Sequence, residues 1–250
     1  MRLTVLGCAG SFPSAYAPCS AYLIEVAGFR LMLDFGTGAL STLQRVVGLY
    51  SIDAILLSHL HADHIFDACS YVVARRYAPG GSKRRLPVYA PLSAPERLAA
   101  AYGGASHEGA LDDVYTFHTL RPGMFSIGPF AVTVDRVNHP VETFGVRIEC
   151  QGHSIAYSAD TAPCDTLLRL AHGVDLFLCE ASYPDGVVNP PGLHLTGREA
   201  GEYATKAGVG QLLLTHLVPA WCDEEQTLEA ASAAFAGQII VVRPEDSFIL

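Results

Sequence analysis

Charge is scarce in this sequence. Only 16% of its 250 residues are Asp, Glu, Lys or Arg, and 16 basic residues face 25 acidic ones. The resulting formal charge of −9 repels polyphosphates at long range and argues against an extended nucleic-acid footprint. A small anionic substrate stays open, because a metal site reverses the local field. No CxxC pair occurs, and the seven cysteines, at 8, 19, 69, 150, 164, 179 and 222, are scattered. That excludes a disulfide framework and points to a reducing, cytoplasmic setting. No stretch approaches the ~20 apolar residues of a membrane span. The opening MRLTVLGCAG carries a strand pattern in place of the basic-then-apolar run of a signal peptide. Repeats and low-complexity tracts are absent as well.

What is present is apolar: half of the chain is hydrophobic. Disorder is thereby excluded, and a chain of this length can bury roughly 70–75% of its unfolded surface without metals or disulfides. The length fits one domain spanning 1–250. Apolar runs of strand length recur at 3–6, 22–26, 31–33, 54–57, 88–89, 130–137, 144–148, 154–157, 176–178 and 211–214, bounded by Gly, Pro, Asp or Ser. Helical periodicity marks 38–47, 65–77, 94–102, 162–171, 196–207 and 224–235, and Thr196 with Glu199 forms a capping-box pattern. Early hairpin-like strands followed by strands alternating with helices predict an α/β fold. Its architecture is an αββα sandwich of two mixed β-sheets with helices on the outer faces.

The strand at 54–57 runs into Ser58-His59-Leu60-His61-Ala62-Asp63-His64, where a helix opens. Four potential ligands in six residues do not make a core, since each unpartnered polar group costs about 1–3 kcal/mol. Imidazole and carboxylate together suit zinc or another divalent transition ion. His59 and His61, two apart, point the same way and can share one ion, while Asp63 and His64 at the helix entrance can hold a second. Further lone polar groups follow later strands: His139 in Val137-Asn138-His139-Pro140, Asp160 in Ser158-Ala159-Asp160-Thr161 and His216 in Leu214-Thr215-His216. Strand C-terminal ends are where α/β folds place their sites.

This ordered set resembles the signature of the metallo-β-lactamase fold superfamily. The resemblance implies that His59, His61 and His139 hold one zinc ion, that Asp63, His64 and His216 hold the other, and that Asp160 bridges them. Mn2+ or another divalent transition ion is the alternative metal. An aspartate at the bridging place, where many β-lactamases of this fold carry cysteine, favours a two-metal hydrolase over a lactamase. Cys179-Glu180-Ala181-Ser182, His194-Leu195-Thr196 and 212–216, with Leu6-Gly7-Cys8-Ala9-Gly10-Ser11 and Asp34-Phe35-Gly36-Thr37-Gly38, narrow the resemblance to ribonuclease Z-like phosphodiesterases. In that branch His194 would assist at the phosphate and Glu180 would orient it, while Asp63 and Asp160 would orient the attacking hydroxide.

Ribonuclease Z carries a tRNA-gripping arm between the third-histidine and bridging-aspartate motifs. Here His139 and Asp160 are 21 residues apart (160 minus 139), filled by two expected strands and the turn Gln151-Gly152-His153. The pattern is closer to small bacterial relatives resembling cyclic-nucleotide phosphodiesterases, including an actinobacterial group of atypical class II enzymes. The expected substrate is therefore a small anionic phosphodiester, foremost a 3′,5′-cyclic nucleotide such as cAMP. The alternatives are a tRNA 3′-end endonuclease and, from another class, a non-catalytic metal-bound scaffold or sensor. A homodimer is compatible with the sequence.

Some features stay open. Arg75, Arg76, Lys83, Arg84 and Arg85 read either as an anion guide beside the metal helix or as a solvated loop around 79–85. Trp221 reads as a base-stacking group or as packing. Cys19, Cys69, Cys164 and Cys179 read as small apolar residues. His107, His118, His153 and His172 have no partner pattern.

Overall fold

The computed structural model describes residues 1–103 and 111–250; His107 lies outside them. The first half contains β1 (Arg2–Gly7), β2 (Ala21–Val26), β3 (Phe29–Leu33), α1 (Ala39–Val46), β4 (Ala54–Leu56), α2 (Ala62–Arg76), β5 (Leu86–Ala90), α3 (Ala94–Tyr102) and β6 (Tyr115–Thr119). There follow β7 (Gly123–Ile127), β8 (Phe130–Arg136), β9 (Phe144–Cys150), β10 (His153–Tyr157), α4 (Asp165–Ala171) and β11 (Leu176–Glu180). The chain ends with α5 (Gly197–Ala207), β12 (Gln211–Thr215), α6 (Glu224–Ser232), β13 (Gln238–Val241) and β14 (Ser247–Ile249).

Two seven-stranded mixed sheets result, in the orders β14-β1-β2-β3-β4-β5-β6 and β13-β12-β11-β10-β9-β8-β7. The period of two along each strand explains why they pack face to face. In β2, Tyr22 and Ile24 join the layer between the sheets, whereas Ala21 and Leu23 face the helices. Leu31 and Leu33 of β3 likewise point inward and Met32 outward. From the other sheet come Val132, Val134, Phe144, Val146 and Leu178. Outside, α1, α2 and α3 cover the first sheet through Leu43, Ile65, Tyr71 and Leu98. Leu167, Ala200, Ala204 and Ala231 of α4, α5 and α6 cover the second over Phe177, Leu212 and Leu214. This is the expected αββα sandwich. Each fully buried Leu, Ile or Phe contributes roughly 1.5–3 kcal/mol.

All six helices form where the periodicity places them, and α5 opens with the capping box: Thr196 Oγ1 accepts from the Glu199 amide and Glu199 accepts from the Thr196 amide. Four strands go beyond the expected set: β6, β7, β13 and β14. All are at or beside sheet edges, where fewer side chains are buried, so the hydrophobic signal is faint. In β7 only Ile127 is buried. No helix of the described residues is long and apolar enough to cross a membrane.

Candidate metal centre

The parallel strands end on one side of the sandwich, and the expected site residues follow those ends. β4 releases Ser58 to His64, with His61 as the N-cap of α2 so that Asp63 and His64 occupy its first turn. β10 leads to Asp160, β11 ends at Glu180, β12 leads to His216, and His139 follows β8. Three turning residues adopt left-handed backbone: Asp34 (φ 55°), Ala159 (φ 52°) and His216 (φ 57°). Such conformations cost about 1–3 kcal/mol in a non-glycine residue and persist where surrounding contacts enforce them.

The seven expected ligands form two touching clusters. In one, His59 Nε2 and His61 Nδ1 lie 3.2 Å apart, His61 Nδ1 and His139 Nε2 3.3 Å, and His59 Nε2 and Asp160 Oδ2 3.6 Å. In the other, His216 Nε2 is 3.1 Å from both His64 Nε2 and Asp63 Oδ2, and Asp160 Oδ1 is 3.2 Å from His64 Nε2. Zinc–nitrogen bonds of 2.0–2.1 Å in tetrahedral array put neighbouring donors about 3.3 Å apart, so these spacings suit such an ion. Asp160 turns one oxygen to each cluster, and its buried Oδ1 accepts no hydrogen bond. An orphaned carboxylate oxygen among ring nitrogens fits a cation between them.

The ring protons are directed outward. Asp34 accepts from His64 Nδ1 (2.8 Å), the Ser58 hydroxyl (2.8 Å) and the Tyr157 hydroxyl (2.9 Å) on one oxygen, and from the Ser58 amide (2.7 Å) on the other. His139 Nδ1 donates to the Leu193 carbonyl at 2.9 Å. His216 Nδ1 donates to Ser182 Oγ (2.7 Å), which donates to Glu180 Oε2 (2.5 Å). Such partners fix the aim of each ring and turn Nε2 inward, where it serves as a ligand atom once it carries no proton. Ser11 donates its amide to Asp63 Oδ2 at 2.8 Å. The sequence reading missed the orienting roles of Asp34, Ser58 and Ser182. All three stand in the quoted motifs, Asp34 just after a strand, Ser58 beside His59 and Ser182 two residues after Glu180, but nothing in the sequence says what they touch.

Electrostatics favour a cation as well. Burial opposes charge on His64, yet Asp160, Asp63 and Asp34 hold its pKa well above the usual histidine value. Burial, and then the neighbouring rings, push His59 and His61 down. Burial would raise Asp160, but His216, His64 and His59 keep it well below the carboxylate range. A bound ion would displace the His64 proton, so loading releases protons and weakens in acid.

His194, from the stretch between β11 and α5, stands beside both clusters. Its Nδ1 is 3.1 Å from each Glu180 oxygen, and Glu180 also accepts from the Thr161 amide (2.6 Å). Burial would lower His194, but Glu180, through its charge and hydrogen bond, carries it up to about 9. Ions in the neighbouring clusters would pull that value back towards neutrality.

Residues 30–217 match the beta-lactamase superfamily domain. The chain belongs to that superfamily. An uncharacterized Mycobacterium tuberculosis protein is 42% identical over 254 residues, covering 99% of this chain and 92% of that protein. A probable metallo-hydrolase of Bacillus subtilis, YhfI, is 29% identical over 245 residues, 97% of each chain, and its crystal structure superimposes with a TM-score of 0.88 over 99% of this chain and 98% of that one. A ribonuclease Z of Mycobacterium bovis is 29% identical over 266 residues, 96% of this chain and 95% of that protein. These relatives place this superfamily member in the ribonuclease Z-like branch.

The remaining candidates resolve differently. Arg75 is twelve residues beyond Asp63 on α2 (75 minus 63), about 18 Å away at 1.5 Å per residue, so the basic cluster is no anion guide at the metal centre. Arg75 is itself buried. The indole of Trp221 donates to the Ser182 carbonyl (3.0 Å) and packs edge-on against Phe12, tying its loop to the site while half of the residue stays exposed. Cys19 and Cys179 are buried, and burial raises both thiols, Cys19 to about 12, as expected of inert apolar residues. Cys69 and Cys164 are half-buried. His118 stacks on Tyr89 away from the site.

Gly36 is a structural dependency of the centre. A Cβ there would lie 2.0 Å from the Asp63 carbonyl and 2.9 Å from that of Ser20, both backbone atoms that cannot rotate away. Gly36→Ala is expected to displace the first turn of α2 and to lower metal content below half of wild type, measured by elemental analysis of the folded fraction. Full metal content would show that the turn accommodates the methyl group.

Proposed function

We propose that this metal-dependent hydrolase cleaves small phosphodiesters through a dinuclear centre, with 3′,5′-cyclic nucleotides such as cAMP as its substrate class. The observation carrying the reading is the placement of Asp160, one oxygen toward each cluster, beside the His194–Glu180 pair. His59, His61 and His139 would hold one ion, and Asp63, His64 and His216 the other, with Asp160 shared. Two divalent ions there, zinc foremost, would supply Lewis acidity toward phosphoryl oxygens and lower the pKa of water.

The chain's own groups supply the rest. Asp63, fixed by the Ser11 amide, and Asp160 orient the attacking oxygen. His194, with Nδ1 engaged by Glu180, has Nε2 left to donate to a phosphoryl oxygen or to the departing ribose oxygen. A purely structural metal site has no use for such a donor. A cavity of 610 Å³ opens beside His194, walled by Asn138, Tyr183 and Asn189, and its size accommodates a nucleoside. Between His139 and Asp160 the chain forms the paired strands β9 and β10, which leaves few residues for an RNA-gripping arm.

The test compares kcat/KM for 3′,5′-cAMP with that for a pre-tRNA carrying an intact 3′ trailer, at identical metal and salt, alongside a mass measurement in solution for dimers. cAMP is expected to be the better substrate, with weak and steeply salt-sensitive RNA binding. Efficient site-specific trailer cleavage with negligible cAMP hydrolysis would replace this reading with a tRNA-processing one.

A further inference from the structure

A second cavity, of 410 Å³, lies at the opposite ends of the strands from the metal centre. Its wall includes Asp53 and Ala54 where β4 begins and Leu86 where β5 begins. From Ala54 to His59 is five residues, about 16 Å of extended chain. Four cations line it: Arg75, Lys83, Arg84 and Arg85. Nine of the other basic side chains among the described residues are paired with carboxylates, and none of these four is.

Arg75 is the anchor. It is 5% exposed, its Nε has no hydrogen-bond partner, and its other nitrogens meet only the Tyr71 hydroxyl and the Arg84 carbonyl. Arg85 donates to the Tyr115 carbonyl, and Lys83 rests on the ring of Tyr50. Burying a guanidinium without a counter-charge is costly, and guanidinium groups match phosphate geometry. One carboxylate, Asp53, shares the wall, and its Oδ2 accepts from the Arg30 amide. The local charge is therefore about +3 (four cations less one carboxylate) within a chain of formal charge −9. The volume exceeds what bare phosphate needs and falls in the range of small-molecule pockets.

We infer that this cavity is a second anion site, separate from the catalytic centre, that takes the phosphate group of a small organic phosphate. It does not depend on the function proposed above.

The experiment titrates inorganic phosphate and AMP calorimetrically at low ionic strength into the wild-type protein, Asp160→Ala and the double variant Lys83→Gln/Arg84→Gln. Asp160→Ala removes the metal centre as a phosphate receptor and is expected to retain one saturable phosphate site per chain. The double variant is expected to lose that site's affinity at least tenfold. Tighter binding of AMP than of phosphate identifies an organic phosphate; equal or weaker binding narrows the ligand to phosphate itself and overturns the organic assignment. Hydrogen exchange on the wild-type protein gives an independent readout: phosphate should protect amides around 83–86 and 52–54. Absence of saturable binding in Asp160→Ala with no such protection, or unchanged affinity in the double variant, would overturn the site.

Discussion

Asp160→Ala is expected to strip the protein of metal and activity together. Elemental analysis of gently purified wild type should find close to two transition ions per chain, mainly zinc, and the variant well under one. Because Asp160 faces both clusters, its loss leaves three neutral imidazoles for one ion and one carboxylate with two imidazoles for the other. Lewis-acid stabilisation is worth several kcal/mol, and each 1.36 kcal/mol is a factor of ten, so kcat/KM should fall by about 10³ or more. Asp160→Asn keeps the shape and one ligand oxygen but loses the negative charge and the second oxygen, so it should bind metal more weakly than wild type yet better than the alanine variant. An alanine variant that retains both ions would remove Asp160 from the bridging position. Wild-type activity with essentially no metal would sink the dinuclear mechanism.

His194→Ala should separate chemistry from metal binding. Its Nδ1 is committed to Glu180, and no expected ligand set needs it, so metal content should stay at the wild-type level. A positioned proton donor is worth about 10²–10⁴, and kcat should fall by that factor. The loss should shrink for bis(p-nitrophenyl) phosphate, whose leaving group needs little protonation. Glu180→Gln supplies a finer reading. Glu180 raises the His194 pKa, so removing its charge lowers that value and the basic limb of the kcat–pH profile should move to lower pH. A limb that stays in place would assign it to another group, and loss of a metal in His194→Ala would make His194 a ligand.

Much of this centre is visible in the sequence because its donors cluster in a pattern that a packed core does not tolerate. Seven polar residues at or just beyond strand ends, with His59, His61, Asp63 and His64 inside six positions, stand out without coordinates. The αββα architecture is legible for a similar reason: β1 to β4 alternate between two apolar faces, and the helices repeat at 3.6. What escaped was either weakly buried or remote. The edge strand β14 has a short, exposed sequence and gains its order from pairing with β1 across the whole chain. Asp34 looks like any acidic residue after a strand until His64, Ser58 and Tyr157 converge on it. The basic cluster at 75–85 reads from sequence either as an anion guide beside the metal helix or as a solvated loop, and only the fold shows that it lies at the far end of α2 from Asp63.

The donors of the metal centre are drawn from the ends of β4, β8, β10 and β12, between positions 59 and 216. During synthesis, therefore, the second cluster is incomplete until β12 has emerged and taken its place beside β11. The His59–His61 pair, by contrast, is available early, in a chain that has not yet closed its second sheet. Full metal affinity would then be a late product of folding, established by long-range docking that is intrinsically slow. Chelation should accordingly speed the loss of the native state more than it hinders the first collapse, so a metal bound there would act chiefly as a kinetic lock on the finished sandwich.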